Sequence, residues 1–475
     1  MSGAVKISDK LFKELDKNRD IITASPYRVE TELKGKISRS LIEEISRIKK
    51  EPDWMRRLRL RSLEWFNKLP MPKWLPGIEE IDLEALSLYV KPDIPKVERW
   101  EDLPREIRDF YEKLGLPEEE AKMLAGLQTV VDSENVYSHA KKILKEKGII
   151  LMSMDEAVQK DLPIVKEYFM RVFPPSDHKF AALHGALWSG GVFLYVPKNV
   201  KLLEPIEGFF LIGNAMEGQF EHTLLIADEG SFINFIEGCS APRFVGYSFH
   251  DGMVEIYAHK NSTVRFTTLQ NWSRNVVNYN NKRAIAESGA RVDWFEGSIG
   301  SKITVTYPST ILKGKNSTSN SYVVSVSKGP VLKDTGSKMI HAAPYTKSKI
   351  VNKSISVDGG VNIYRGLVKI NKGAIESAAH VECDSLILDE KSAAHTYPHN
   401  QLEEPMASIT HEATTGRLSE EQLFYLTSRG FSENEAKSLI VLGYLEQVLV
   451  DLPFEMVNVL RRVVQLEFKE LGGVG

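Results

Sequence analysis

Residues 254–294 read VEIYAHKNSTVRFTTLQNWSRNVVNYNNKRAIAESGARVDW. The runs Val254-Glu255-Ile256-Tyr257 and Arg291-Val292-Asp293-Trp294 alternate in polarity, as half-buried strands do, and small turn residues bound them. Working outward, turn elements centre on Asn199, Gly230, Asn261, Gly289 and Asn316, at steps of 27–31 residues. An apolar or β-branched strand follows each turn, and the next turn of this kind is Gly373, two steps on. Upstream, Val192-Phe193-Leu194-Tyr195-Val196 is a strand of the same sort. A period in this range, with several strands and no helix per repeat, predicts stacked coils of a β-solenoid. A β-sandwich is the structural alternative.

The flanks read differently. Residues 1–175 form a mixed, mainly helical region, 176–404 the β-solenoid core, and 405–475 a helical segment. Leu41, Ile42, Ile45 and Ile48 repeat at helical spacing, and Pro52 starts a second helix whose apolar stripe is Trp54, Met55, Leu58 and Trp65. Arg56, Arg57, Arg59 and Arg61 read as a solvated helix face. Residues 70–105, rich in proline and aromatic side chains, read as an extended connector. Glu118, Glu119 and Glu120 after Pro117 suit a helix N-terminus. Near the C-terminus, Ser419 with Gln422 and Ser432 with Glu435 are capping-box pairs, and Gly430 and Gly443 sit where C-caps are expected. This predicts helices near 420–429 and 433–442, and a third after Pro453 carrying Met456, Val459, Leu460, Val463 and Leu466. Leu423, Phe424, Tyr425, Leu439 and Ile440 would either dock a partner or pack on the solenoid end.

The charge of −3, from 61 basic and 64 acidic side chains, creates no basic field for nucleic acid. No apolar run approaches the ~20 residues of a membrane helix, and the start MSGAVKISDK has no signal core, so a cytoplasmic protein is expected. There is no GxxxxGK[ST] phosphate loop, no GxSxG elbow and no HExxH, so the chain is expected to be no enzyme and no ATPase. A carbohydrate-cleaving solenoid would need an acidic, aromatic groove. The chain has two cysteines. Cys239 stands in Glu237-Gly238-Cys239-Ser240-Ala241-Pro242, with Arg243 the only strong cation nearby in sequence. Cys383 stands in His380-Val381-Glu382-Cys383-Asp384-Ser385. It shares some thirty residues with His380, His395, His399 and His411, a donor set that can ligate iron. Buried structural thiols and exposed turn histidines are the plain alternatives.

Several stretches resemble the SufB/SufD family of the SUF iron–sulfur assembly system. They are Ser189-Gly190-Gly191…Tyr195-Val196-Pro197, the Cys239 stretch, Leu269-Gln270-Asn271-Trp272, Asp334-Thr335-Gly336-Ser337-Lys338-Met339-Ile340-His341, Tyr364-Arg365-Gly366-Leu367, Cys383-Asp384-Ser385, Ala394-His395-Thr396-Tyr397-Pro398 and His411-Glu412-Ala413-Thr414-Thr415. The resemblance runs from about residue 36 to the C-terminus and is closer to SufB than to SufD, because both cysteine motifs are intact. It implies a right-handed parallel β-helix and a scaffold that handles a transient iron–sulfur cluster. By motif match Cys239 would receive sulfur as a persulfide, and Cys383 would carry the nascent cluster with Glu412 and His411 as further ligands. Gln270, Trp272 and Lys282 would line the route between the cysteines. The implied partners are a SufC-type ABC ATPase at the C-terminal helices, a SufD-like subunit or a second copy of the chain, and a cysteine desulfurase system. A SufD-like structural partner that never holds sulfur is the other reading. Two departures stand out: the N-terminal cysteines of many members are absent, and His222 in Gly218-Gln219-Phe220-Glu221-His222-Thr223 replaces an expected arginine.

Overall fold

A computed structural model of the chain describes residues 27–78, 81–102, 125–140 and 142–449. The solenoid has about 8 turns. Each coil contributes one strand to each of two facing sheets. One sheet stacks Ile206–Leu211, Phe232–Ser240, Thr263–Trp272, Arg291–Gly300, Thr318–Lys328, Lys347–Val357, Ala378–Ile387 and Ser408–Arg417. The other stacks His222–Ala227, Ser248–Ala258, Val276–Ala286, then the split strands Ile303–Thr306/Ser309–Leu312 and Leu332–Thr335/Lys338–His341, then Val361–Ile370 and Ala393–Leu402. These pairings are all parallel and in register, which settles the choice between solenoid and antiparallel sandwich.

The turn ladder explains the period. Asn199, Gly230, Asn261, Gly289, Asn316, Tyr345 and Glu376 all take positive φ. Each donates its backbone N–H to a carbonyl of the following coil, at 2.8–3.2 Å, so one turn shape repeats. Where Asn and Gly alternate, the Asn side chain fills the space that a Cβ would need. A Cβ on Gly289 would lie 2.2 Å from Asn261 Oδ1, and one on Gly230 2.4 Å from Asn199 Oδ1. The step missed in the sequence is Tyr345, and at the next one Glu376 stands in the ladder while Gly373 (φ 90°) lies three residues earlier. Tyrosine and glutamate are poor left-handed residues. The inter-coil bond holds them there.

The N-terminal region is mixed as expected, with local differences. The helices Arg39–Ile48 and Asp53–Lys68 form, the first capped by Ser38. The 70–105 stretch is no mere connector, since Ser87–Pro92 is a strand paired antiparallel with Val29–Lys34. Gly126–Val131 joins the first sheet beside Ile206–Leu211. The antiparallel strands Glu134–Ala140 and Ile150–Ser153 cover the two sheets at this end. Arg59 departs from the solvated-face reading, because its side chain is 0% exposed. It pairs with Glu51 (2.6 Å), lies 4.8 Å from the Trp188 ring, and donates to the Ala186 and Trp188 carbonyls at 3.0 and 2.8 Å. Those carbonyls lie at the C-terminal end of the helix Lys179–Leu187, where orphan acceptors need donors, so one arginine is drawn inside.

Beyond 404 the solenoid adds one more strand, Ser408–Arg417, before the helices Glu420–Ser428 and Glu433–Leu449. The Ser419 and Ser432 caps form, with the Glu435 carboxylate accepting from Ser432 N at 2.7 Å. Gly430 takes φ +98°, but Gly443 lies inside the last helix, which runs past it. The helices expected at Glu118–Glu120 and after Pro453 fall outside the described residues. No helix among the described residues is long and apolar enough to cross a membrane.

Candidate functional site

Strand alternation decides which side chains enter the lumen. On Phe232–Ser240 these are Ile233, Phe235, Glu237 and Cys239, and only the first two suit an apolar core. Gln270 Nε2 donates to Cys239 Sγ (3.2 Å) and to Glu237 Oε1 (3.2 Å), and Thr268 Oγ1 donates to the same carboxylate (3.0 Å). Trp272 Nε1 and Asn278 Nδ2 hold Gln270 Oε1 at 2.7 and 3.2 Å. Lys282 arrives from the facing sheet, with Nζ 3.2 Å from Glu237 Oε1 and 3.4 Å from Glu296 Oε2. The cation of this site is therefore Lys282, forty-odd residues away in sequence, and the expected residues Cys239, Gln270, Trp272 and Lys282 meet in one buried cluster. Burial pulls the Lys282 pKa down, yet Glu237 and Glu296 outweigh it and hold the ammonium charged. Burial, reinforced by Glu237 and Glu221, pushes the Cys239 thiol well up, against the opposing influence of Lys282 and Gln270. Resting Cys239 is a neutral thiol.

Cys383 occupies the same lumen further along. In strand register Cys239, Gln270, Ser298, Ser325, Ser354 and Ser385 lie in one row, with Cys383 two residues before Ser385. Five strand spacings of ~4.8 Å separate the two cysteines by about 24 Å. Polar side chains continue through this length. Thr306 Oγ1 donates to Glu296 (3.1 Å), and the buried Lys333 donates to Ser298 Oγ and the Gly300 carbonyl (both 3.0 Å). Ser325 Oγ donates to Asn362 (2.9 Å), and Ser354 Oγ to Ser385 Oγ (2.9 Å). Asn352, paired in register with Cys383, keeps its buried Oδ1 without a hydrogen bond among the described residues.

At Cys383 the sulfur lies 3.3 Å from His411 Nε2 and 3.6 Å from the Glu412 carbonyl oxygen. With the Asn400 amide donating to His411 Nδ1 (3.2 Å), Nε2 carries the hydrogen that faces the sulfur. Burial, then Asp384 and Glu382, push this thiol up to about 11. Glu412 is in register with Glu382, and alternation turns both carboxylates to the outer face, away from the sulfur. The four histidines do not gather: His380 bonds Thr410 on the outer face (2.8 Å), while His395 and His399 lie on the other sheet. Among the described residues no three His, Cys, Asp or Glu side chains converge as a metal site would require. His222, where arginine was expected, sits 3.2 Å from the buried Glu255, whose carboxylate also accepts from the backbone of Met170, Val172 and Phe173.

The outer face of the Cys383 strand meets the C-terminal helix. Val441 and Leu445 pack with Val351, Ile355 and Leu386. The Tyr444 ring lies 5.6 Å from Lys353 Nζ, and Lys353 pairs with both Glu382 and Asp384, the neighbours of Cys383. Sequence reading missed Glu237, Glu296, Lys333, Asn352 and Asn400. The available signal was polar residues at inward positions of strands whose other inward positions are apolar.

A parallel β-helix whose lumen encloses two thiols, joined by polar side chains, defines the class. The chain matches the family description "SUF system FeS cluster assembly, SufBD core domain" over residues 210–444 and "SufBD protein N-terminal region" over 120–207. Proteins named iron-sulfur cluster assembly SufBD family protein from Staphylococcus saprophyticus, Staphylococcus haemolyticus and Staphylococcus aureus are each 43% identical over 439 residues, 92% of this chain and 94% of theirs. The chain therefore belongs to the SufBD family of iron–sulfur cluster assembly proteins.

Proposed function

We propose that this member is the sulfur-handling, SufB-type scaffold, itself non-catalytic. Cys239 accepts sulfur from a desulfurase system as a persulfide, and the nascent iron–sulfur cluster is built as cargo at Cys383. The observation that carries this reading is that both thiols face one lumen joined by polar side chains. Across about 24 Å, direct attack of one sulfur on the other is impossible. The sulfane sulfur must leave Cys239 as hydrosulfide, with two electrons from a thiol reductant, and Cys239 returns to a thiol. Lys282 and Lys333, and then hydroxyls and amides, line the lane to Cys383.

Among the described residues only Cys383 and His411 offer ligands at the inner end, and the remaining ligands would come from elsewhere. The strands Ala393–Leu402 and Ser408–Arg417 end their sheets with mostly exposed residues, and such edges invite a second β-helix, either a SufD-like subunit or another copy. An ABC-type ATPase would dock at the two C-terminal helices, where Phe424 and Tyr425 are exposed. Its movement would reach Cys383 through Tyr444, Lys353 and Glu382. The outward Glu412 carboxylate favours a second reading, a SufD-like partner that holds no cluster.

Two measurements separate them. Mass spectrometry after incubation with a desulfurase and its carrier should find persulfide on Cys239, and label only elsewhere overturns the first reading. Anaerobic reconstitution of the ATPase complex should give a visible absorption that Cys383→Ala abolishes. Undiminished uptake by that variant removes Cys383 as a ligand.

A further inference from the structure

On the outer face of the solenoid a cavity of about 290 Å³ separates the coils from the N-terminal region. The rings of Trp74, Phe173, Phe180, Tyr279 and Tyr307 line it, together with Asp177, His178, Arg283 and Lys338. It borders the strand Val276–Ala286, from which Arg283 points out to it, while Lys282, which also borders it, sends its ammonium inward to Glu237 and Glu296.

The charges there are unequally committed. Arg283 donates to Asp177 Oδ2 (3.1 Å) and to the Val172 carbonyl (2.9 Å), and stacks 4.1 Å over Phe173. Asp177 is thereby paired. Burial pushes His178 down to about 4, so it is neutral at pH 7, and its Nδ1 accepts the N–H of Ala181 (3.2 Å). The Tyr307 hydroxyl donates to Asp334 (2.7 Å), which Arg365 pairs at 2.7 Å. Lys338 remains. Its ammonium lies 4.5 Å from the centre of the Tyr307 ring, and among the described residues it forms no ion pair and no side-chain hydrogen bond. Burial and the nearby Arg283 lower its pKa and outweigh the opposing pull of Asp177 and Asp334, as expected of a desolvated cation with no carboxylate in contact.

We propose that this cavity binds a small planar aromatic anion, its ring against Trp74 and Tyr307 and its anionic group at Lys338. Three features select that class. The volume admits one or two fused rings and little more. Aromatic walls reward a flat ring that shares their edges and faces. A neutral or cationic ligand would leave the Lys338 ammonium still more desolvated and still unpaired, whereas an anion satisfies it with a charge-assisted hydrogen bond. Ser309 neighbours Lys338 in strand register, but its hydroxyl already donates to the Lys282 carbonyl (2.9 Å), so Lys338 is the donor at this spot. Rigid parallel strands form the floor, and Trp74, 55% exposed, forms the rim.

The test is isothermal titration of the full chain with 2-naphthoate, its neutral isostere 2-naphthamide, and the variants Lys338→Met and Trp74→Ala. The proposal expects measurable binding of 2-naphthoate, at least tenfold weaker binding of the amide to the unaltered protein, and at least tenfold loss in Lys338→Met. Trp74→Ala should lose several-fold. Equal affinity for acid and amide, unchanged binding by Lys338→Met, or no binding of 2-naphthoate at millimolar concentration each overturns it. The acid–amide comparison needs no variant, so it decides the matter even if Lys338→Met folds poorly. None of these outcomes depends on the role of either cysteine.

Discussion

Replacing Lys282 by Met removes the ammonium between Glu237 and Glu296 while keeping most of the side-chain volume. Among the described residues each carboxylate already has one buried oxygen without a hydrogen bond, Glu237 Oε2 and Glu296 Oε1, so neither has a spare partner there. Breaking a buried ion pair from one side costs about 3–5 kcal/mol, because the charge left behind is uncompensated. With a urea slope of about 3 kcal/mol/M the unfolding midpoint should fall by about 1–1.7 M at pH 7. A double variant is the second signature. Adding Glu237→Gln should recover part of the loss at pH 7. A midpoint shift below about 0.3 M, or no recovery on adding Glu237→Gln, would refute the assignment of Lys282 as the shared counter-ion.

Arg59→Met should lower thermal stability, with about 3–5 kcal/mol lost, because Glu51 and two helix-end carbonyls lose their donor; a shift no larger than that of Arg57→Met would restore the solvated-face reading. Gly289→Ala should cost about 1–3 kcal/mol from its left-handed backbone alone, plus the clash with Asn261 Oδ1. Chemical denaturation of the pair with Asn261→Gly should recover the clash but not the backbone part. At pH 8 iodoacetamide should label folded Cys383 about a hundredfold more slowly than the urea-unfolded chain, since its pKa lies about two units above an ordinary thiol. Equal rates would show that the thiol is neither buried nor raised.

The coil period was legible in the chain because Asn and Gly are the residues that accept positive φ cheaply, and they mark five of the seven ladder positions. Tyr345 and Glu376 were not legible as ladder positions, because bonds between coils impose their conformation. Arg59 was misread for a related reason. Helical spacing shows which residues share a face, but the same spacing cannot show that the Lys179–Leu187 helix end covers that face. The Ser419 and Ser432 caps were readable since their partners lie three residues away, whereas Gly443 looked like a stop and is passed over by a continuing helix.

The amino-acid sequence alone determined the repeat, the strand alternation and the two cysteine-bearing stretches, since these depend on interactions within a few residues or on a pattern repeated coil after coil. Only the tertiary structure decided which side chains meet. It put Lys282 and Glu296 beside Glu237 and Cys239, turned the Glu412 carboxylate away from Cys383, and set the Tyr444 helix behind that strand. Those outcomes follow from stacking register and facing sheets, in which residues about thirty apart become neighbours and a shift of one residue exchanges lumen for surface.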